Sequence, residues 1–400
     1  MTTVKKLRNR LSALAKASLP PEMLVPELSI ELHRAIGTDP LLLLPYVLVS
    51  DPAREAPHEF RVLRGSECHT DEIRALLQMG IWPAPSTIPS LHRLISERLS
   101  RTVFAAPLWG EGCNEEGPWT QLWRERNIRQ GYYVIAFAPS GRVAATLISR
   151  GPDAPPFTRA EIALGEEAAR LIGRAVDRQP DHALPCDTLV DEVPVAFGVE
   201  CRIASIGMLG QELLRDIGGG GPGARQIGHE RVEKAARSYW DGIVVETMTR
   251  RAQTANLPPD SAVEGAAFRQ DYLRLSLLGP GRAPQILPLE QSAYGAFDIS
   301  VIATNDGGEG HVQALGTLRR RVPRMLALIR GLVETDVPGR EIELAVRLCA
   351  ETTLNETASA MGITTASAKT LMARLSARFD AHGRERLLDA IVALGCSVRR

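Results

Sequence analysis

TASAMGITTASAKTL, Thr357 to Leu371, carries one ionisable side chain, Lys369, in fifteen residues, and five of the fifteen are alanine or glycine. Two helices that cross closely need this composition. The first needs a small residue where the second approaches, and Ala358 supplies it. The turn needs a residue that tolerates positive φ, which is Gly362. The next helix needs a side-chain oxygen at its N-cap, and Thr364 offers one. Apolar side chains must then meet inside: Met361 and Ile363 flank the turn, while Ala368, Leu371, Met372, Leu375 and Phe379 recur at helical spacing. The face left over presents Thr365, Ala366, Lys369, Thr370 and Ala373, then Arg374 and Arg378. Short side chains near a helix N-terminus let it sink into a major groove.

Outward from this stretch, the pattern from Val337 onward is wholly helical. REIELAVRLCAE, LNETASAMG, TASAKTLMARLSARF and RERLLDAIVAL read as four helices with short breaks. From Thr364 to Arg400 there are seven Lys/Arg against three Asp/Glu, a net +4 inside a chain of formal charge zero. The whole molecule is therefore no polycation, and any contact with phosphate must be local. A helical bundle used for dimerisation or as a cap fits the same pattern.

The chain has 400 residues and 44% hydrophobic residues, enough for two or three globular domains. PPEMLVPELSIELHRAIG (20–37) reads as a helix and 41–49 as a buried strand. Helices are expected around 70–79 and 88–99, and a short strand in TVFAAPLWG. GYYVIAFAPSGRVAATLISR is a hairpin, its two β-rich runs flanking Pro139-Ser140-Gly141. Thr158 and Glu161 then stand at capping-box spacing, with Phe157 and Ile162 as a hydrophobic staple. Ile162, Ala169, Ile172 and Val176 line one helix face. DRQPDHALPC ends the first domain. Beyond it come a strand pair (193–207), a short helix (208–216), a glycine loop (218–223), a long helix (229–254) and a second hairpin with 305–310 as its loop. Pro323 opens the helix PRMLALIRGLVE.

Other signals point to little chemistry. Six cysteines lack any C-x-x-C pair, as expected of free thiols in a reducing compartment. Cys68-His69 has no second half of a metal site nearby. Gly218, Gly220 and Gly223 fit G-x-G-x-x-G, but a helix precedes them where a dinucleotide site needs a strand, so a loop is expected. His229 lacks a partner histidine four residues on and reads as an exposed helix start. Arg319–Arg324, RRRVPR, reads as a solvated strand-to-helix corner rather than a phosphate contact. Trp109, Trp119, Trp123, Tyr132 and Tyr133 concentrate aromatics in the first domain, where core packing is favoured over a ligand pocket. No run reaches membrane-spanning length, and the basic start lacks the apolar core of a secretory signal.

The segment from VPGREIELAVRLCAE to RERLLDAIV resembles the C-terminal DNA-binding domain of LuxR-type regulators. Arg340-Glu341 with Glu343 is similar to that family's opening helix. Glu356, Ala358, Met361-Gly362-Ile363-Thr364 and Lys369 are similar to its helix-turn-helix, and Arg378, Phe379 and Arg384 to its later positions. The chain departs from the pattern at Thr357 and Ala368, where the family carries larger aliphatics, at Ser367, where it carries threonine, and at Gly339, where its proline falls. Each lost aliphatic thins the helix crossing by roughly 1–2 kcal/mol. The block 131–177 resembles the end of a GAF domain, and 195–216 the start of a PAS-like domain with later strands in 294–323.

The resemblance implies a multidomain protein: an α+β sensor region followed by an all-α four-helix LuxR-type helix-turn-helix domain. Its expected parts are 1–180, GAF-like with an N-terminal helix; 187–322, PAS-like; 323–336, a connecting helix; and 337–400, the DNA-binding domain, with its core at 354–373. It implies a cytoplasmic, non-enzymatic transcription regulator with no cofactor, no metal site and no membrane partner. Double-stranded operator DNA would be contacted by Thr365, Lys369, Thr370, Arg374 and Arg378. A homodimer is expected, and RNA polymerase would be a partner of an activator. A small-molecule signal is a candidate for the sensor region, its binding residues unassigned. The rival is a non-DNA-binding protein-interaction regulator with a degenerate tail, suggested by Thr357 and Ala368.

Overall fold

The computed structural model describes residues 3–36, 43–49, 59–62, 102–107, 118–125, 128–139, 143–177, 184–198, 201–218, 224–255, 285–289, 294–303, 314–350 and 353–397. The expected helices at 70–79 and 88–99, the loop at 305–310, Cys68-His69 and Trp109 lie outside them. The chain forms two compact units, one of residues 1–185 with 323–400 and one of residues 186–322.

The first unit opens with helices α1 (Thr3–Leu14) and α2 (Pro21–Ile36). Strands β1 (Leu43–Val49), β2 (Glu59–Val62) and β3 (Val103–Pro107) follow, then helix α3 (Pro118–Glu125). Strands β4 (Gln130–Phe137) and β5 (Val143–Arg150) form the expected hairpin, and α4 (Arg159–Asp177) follows it. The sheet is antiparallel in the order β2-β1-β5-β4-β3. In β4, Gly131 to Ala136 are all buried, so both faces of this strand are covered. Helix α4 lies on β4 so closely that a side chain on Gly173 would strike the Phe137 backbone. The capping box forms: the Thr158 amide donates to Glu161 Oε2 at 2.7 Å and the Glu161 amide to Thr158 Oγ1 at 3.3 Å. Phe157 packs against Tyr132, ring centroids 4.8 Å apart, beneath the Arg150 guanidinium. Trp123, Tyr132 and Tyr133 are core side chains. Burial raises the Tyr132 hydroxyl well above its ordinary pKa, and that hydroxyl donates to Glu161 O at 2.6 Å.

The second unit holds β6 (Thr188–Phe197), β7 (Ile203–Ile206), α5 (Met208–Ile217), α6 (Ala224–Ala255), β8 (Gln285–Pro288), β9 (Ala296–Ala303) and β10 (Ala314–Val322). Its order is β7-β6-β10-β9-β8. Renumbered within each unit, both sheets run 2-1-5-4-3, so one topology occurs twice, although no repeat is legible in the sequence. Burial along β10 alternates strictly, with one face buried and the other half-buried apart from exposed Leu315.

That alternation resolves the RRRVPR cluster. Arg320 points inward, where its Nη1 lies 3.5 Å from Asp191 and 3.7 Å from Asp216, and its Nε donates to Tyr294 O. Arg319 and Arg321 point outward onto Glu192 and Asp298. The cluster does turn the expected strand-to-helix corner, between Val322 and Arg324, but its arginines are ion-paired rather than merely solvated: Arg319 and Arg321 share Asp298, and Arg324 pairs with Glu385 and Asp389. The long helix does not start at His229. It begins at Ala224 and leaves His229 half-buried in its second turn.

The remaining helices belong to the first unit: α7 (Arg324–Glu334), α8 (Gly339–Cys349), α9 (Leu354–Ala360), α10 (Thr365–Arg378) and α11 (Arg384–Ser397). The sequence suggests a connecting helix and a separate tail domain. The structure differs: Leu326 to Val333 are buried without a break. Helix α7 is covered by α2 on one side and by α8 and α11 on others, so it is core rather than spacer. Gly331 and Gly395 let α7 and α11 touch backbone to backbone. Helix α1, buried through Leu7, Leu11 and Leu14, packs on α8. Among the described residues no helix is long and apolar enough to cross a membrane.

Candidate nucleic-acid interface

Helix α9 is short, so its ends matter. Thr353 caps it through a full capping box: the Glu356 amide donates to Thr353 Oγ1, and the Thr353 amide to Glu356 Oε2 at 2.7 Å. These hydrogen bonds hold the Glu356 carboxyl below its usual range. Thr-x-x-Glu before a helix is the sequence signature of this cap. At the other end Gly362 adopts φ +64°, and the Ile363 amide donates back to Ala358 O at 3.0 Å. The chain thereby reverses within three residues. Thr364 then caps α10, its Oγ1 accepting from the Ser367 amide at 3.2 Å.

The crossing is closed by small side chains. Thr357, Ala358 and Ala368 are each 1% exposed or less. Leu375 and Met361 are buried beside them, while Ile363, Leu371, Met372 and Phe379 are half-buried. The crossing thus encloses the small side chains at 357 and 368 completely. Arg340 donates to Met361 O and Arg384 to Leu348 O, fixing the turn and the end of α8. Arg384 is therefore committed to backbone, although it stands near the basic helix.

The opposite face of α10 is open. Ala366, Lys369, Thr370, Ala373, Arg374 and Arg378 are exposed, and Thr365 is half-buried at the helix start. Thr365 Oγ1 donates to Asn355 Oδ1 at 3.1 Å, which ties the starts of α9 and α10 together. Thr370 Oγ1 donates to Ala366 O within the helix. Arg378 donates to Asp336 O at 3.2 Å. Among the described residues Lys369 has neither a hydrogen bond nor an ion pair. Of the five sequence-predicted contacts, Thr370, Arg374 and Arg378 follow at i, i+4 and i+8 and share one stripe, while Thr365 and Lys369 share a second, about 100° round the helix from Thr370, so the two bound one broad exposed face. Asn355 and Asp336, which hold two of the five, were not singled out from sequence because each acts through a contact between elements.

Beneath the stripe Glu341 of α8 is 4% exposed, and its Oε2 has no hydrogen-bond partner. Burial pushes its carboxyl above the usual range, opposed by the nearby charges of Arg378 and Arg374. A cationic stripe over a poorly solvated carboxyl, short side chains at its start and two unclosed cationic tips can meet an anionic groove. Among the described residues no group of three or more His, Cys, Asp and Glu is placed to hold a metal ion, and nothing positive points to an enzyme. No protein-family model, curated protein or solved structure matches the chain.

Proposed function

We propose that this protein is a cytoplasmic, sequence-specific DNA-binding transcription regulator, with α10 as its reading helix and the two α+β sheets as its sensor and dimerisation region. The observation that carries this reading is the open face of α10: Lys369 and Arg374 stand exposed with short side chains between them, on a helix whose other side closes the crossing through buried Ala368 and Leu375. The resemblance of 337–392 to LuxR-type DNA-binding domains supports it, and so does the net +4 from Thr364 onward. Two sheets of one topology suit tandem modules of the GAF-like and PAS-like kind. On this reading Thr365 and Thr370 would meet base edges or phosphate, Lys369 and Arg374 phosphate and base edges, and Arg378 the flanking backbone. A dimer would set two such helices on two half-sites.

Selection of bound fragments from sheared genomic DNA, with Lys369→Ala in parallel, tests the reading. Enrichment of a two-fold symmetric site by the wild type and its loss in the variant is the expected result. Equal enrichment by both would remove Lys369 from the interface. No enrichment by either, with both folded, would favour the interaction-module reading, to which the small Thr357 and Ala368 at the crossing also lend themselves. Salt separates the two readings, since a DNA contact loses affinity with a log–log slope of about 0.9 per phosphate neutralised.

A further inference from the structure

Side chains of α1 and α2 grip the segment that leads into the candidate DNA-binding helices. Arg10 of α1 is 5% exposed. It donates to both carboxylate oxygens of Glu31 on α2, to Leu332 O at 3.2 Å and to Val337 O. Arg34 of α2 donates to Val333 O and Glu334. Helix α7 has no basic residue in its own last turn; Thr335 donates to Leu332 O and Gly331 O, and two arginines from the start of the chain add donors at Leu332 O and Val333 O. Arg330 of α7 returns to Glu27 of α2 at 3.1 Å. Nearer the surface, Lys6 pairs with Asp336 and Lys16 with Glu343.

Two further contacts extend the grip. The carbonyl of Asp336, whose carboxylate Lys6 holds, accepts from Arg378 in the candidate interface. At Gly339 an added Cβ would lie 2.6 Å from the Asn9 backbone. This is the position where LuxR-type domains carry proline. A pyrrolidine ring there would occupy the space that α1 fills, so the departure from the family pattern coincides with the docking of α1. On its other side, α2 meets the sheet through Ser29, whose hydroxyl lies 2.6 Å from that of Thr146 on β5.

We infer that α1 and α2 form a clamp that presets the orientation of the DNA-binding helices on the sensor sheet, so that the two reading helices of a dimer are positioned before DNA is met. The proposal rests on the DNA-binding reading above. The clamp leaves the α10 stripe open, so it does not inhibit by covering. It removes the orientational freedom that a tethered tail would lose on engaging two half-sites together. Loosening it therefore weakens two-site binding and leaves single-half-site binding unchanged.

The test uses the full chain as wild type, as Gly339→Ala, which displaces α1 at its closest approach, and as Lys6→Ala/Lys16→Ala, which removes only the outer ion pairs and keeps the apolar contact. Hydrogen exchange is followed in α1, α8 and the β4–β5 hairpin. Affinity is measured for a selected two-half-site fragment and for one half-site alone. The expected result is faster exchange in α1, unchanged protection of the hairpin, and at least about a fivefold loss of two-site affinity, the lower end of ordinary coupling between sites, with half-site affinity unaltered. Faster exchange in α1 with unchanged or tighter two-site binding overturns the proposal, as does unchanged exchange in both variants. Absence of DNA binding by the wild type overturns the DNA-binding reading itself, and is distinguished because it is seen before any variant is compared. Should Gly339→Ala fail to fold, the double lysine variant decides.

Discussion

Replacing Arg10 by Met tests how the two ends of the chain hold together. The guanidinium has a bidentate carboxylate and two main-chain carbonyls as partners, all buried. Removing one member of a buried pair costs about 3–5 kcal/mol, because the other charge is left without its partner. That is a large share of the roughly 5–15 kcal/mol by which domains are stable. Glu31→Met should cost a similar amount. The double variant should cost far less than the sum, since no charge remains buried. It keeps a residual of about 1–3 kcal/mol for the Val337 carbonyl that loses Arg10, whereas Leu332 O retains Thr335 as donor. Methionine fills much of the space of the arginine stem, so cavity formation is a minor part. Native-state hydrogen exchange of α7 and α8 amides is the suitable assay, because a chain of two compact units need not unfold in one step. Strict additivity of the two single costs would refute the paired-charge account of this contact.

Other outcomes follow from the same structure. Leu375→Ala, at a side chain with no exposure, should destabilise the α8–α10 packing by about 2–5 kcal/mol, read as lost protection in α10. Thr364→Ala removes the cap of α10 and should cost about 0.5–2 kcal/mol, with fraying confined to its first turn. Lys369→Ala should leave thermal unfolding unchanged while lowering the salt slope of DNA binding by about 0.9, if it meets one phosphate; an unchanged slope would refute that contact. Burial raises the folded-state pKa of the Glu341 carboxyl. Its contribution to stability is thus present below the ordinary carboxyl range and is lost as pH rises through the raised value. Glu341→Gln should accordingly stabilise the helices relative to wild type at neutral pH, with the difference vanishing on acidification. A difference that grows toward low pH would reverse the assignment.

Local chemistry explains why much of the architecture was legible. The β4–β5 hairpin, the Thr158–Glu161 box, the Gly362 turn and the Thr364 cap each depend on residues within a few positions of one another, and the four terminal helices begin within a residue of their expected starts. The exposed face of α10 was legible because helical periodicity places Thr370, Arg374 and Arg378 on one stripe and Thr365 and Lys369 on another without reference to any other element. The capping box of α9 carried the same kind of signal and was passed over.

What sequence alone determined is therefore the locally encoded elements, among them the β4–β5 hairpin and the four terminal helices, the helix-turn-helix geometry and the side chains it leaves facing out; the short β2, β8 and α3 carried no such signal. Tertiary structure alone decided that the terminal helices share a compact unit with the first 185 residues, that the arginines of RRRVPR meet carboxylates from neighbouring strands and helices, and that one sheet order occurs twice. These features join residues hundreds of positions apart, such as Arg10 with Val337 or Lys16 with Glu343. A basic residue on an N-terminal helix carries no local mark of the carbonyl it will cap. Only when α1 lies on α8 does desolvation make the pairing of that charge obligatory.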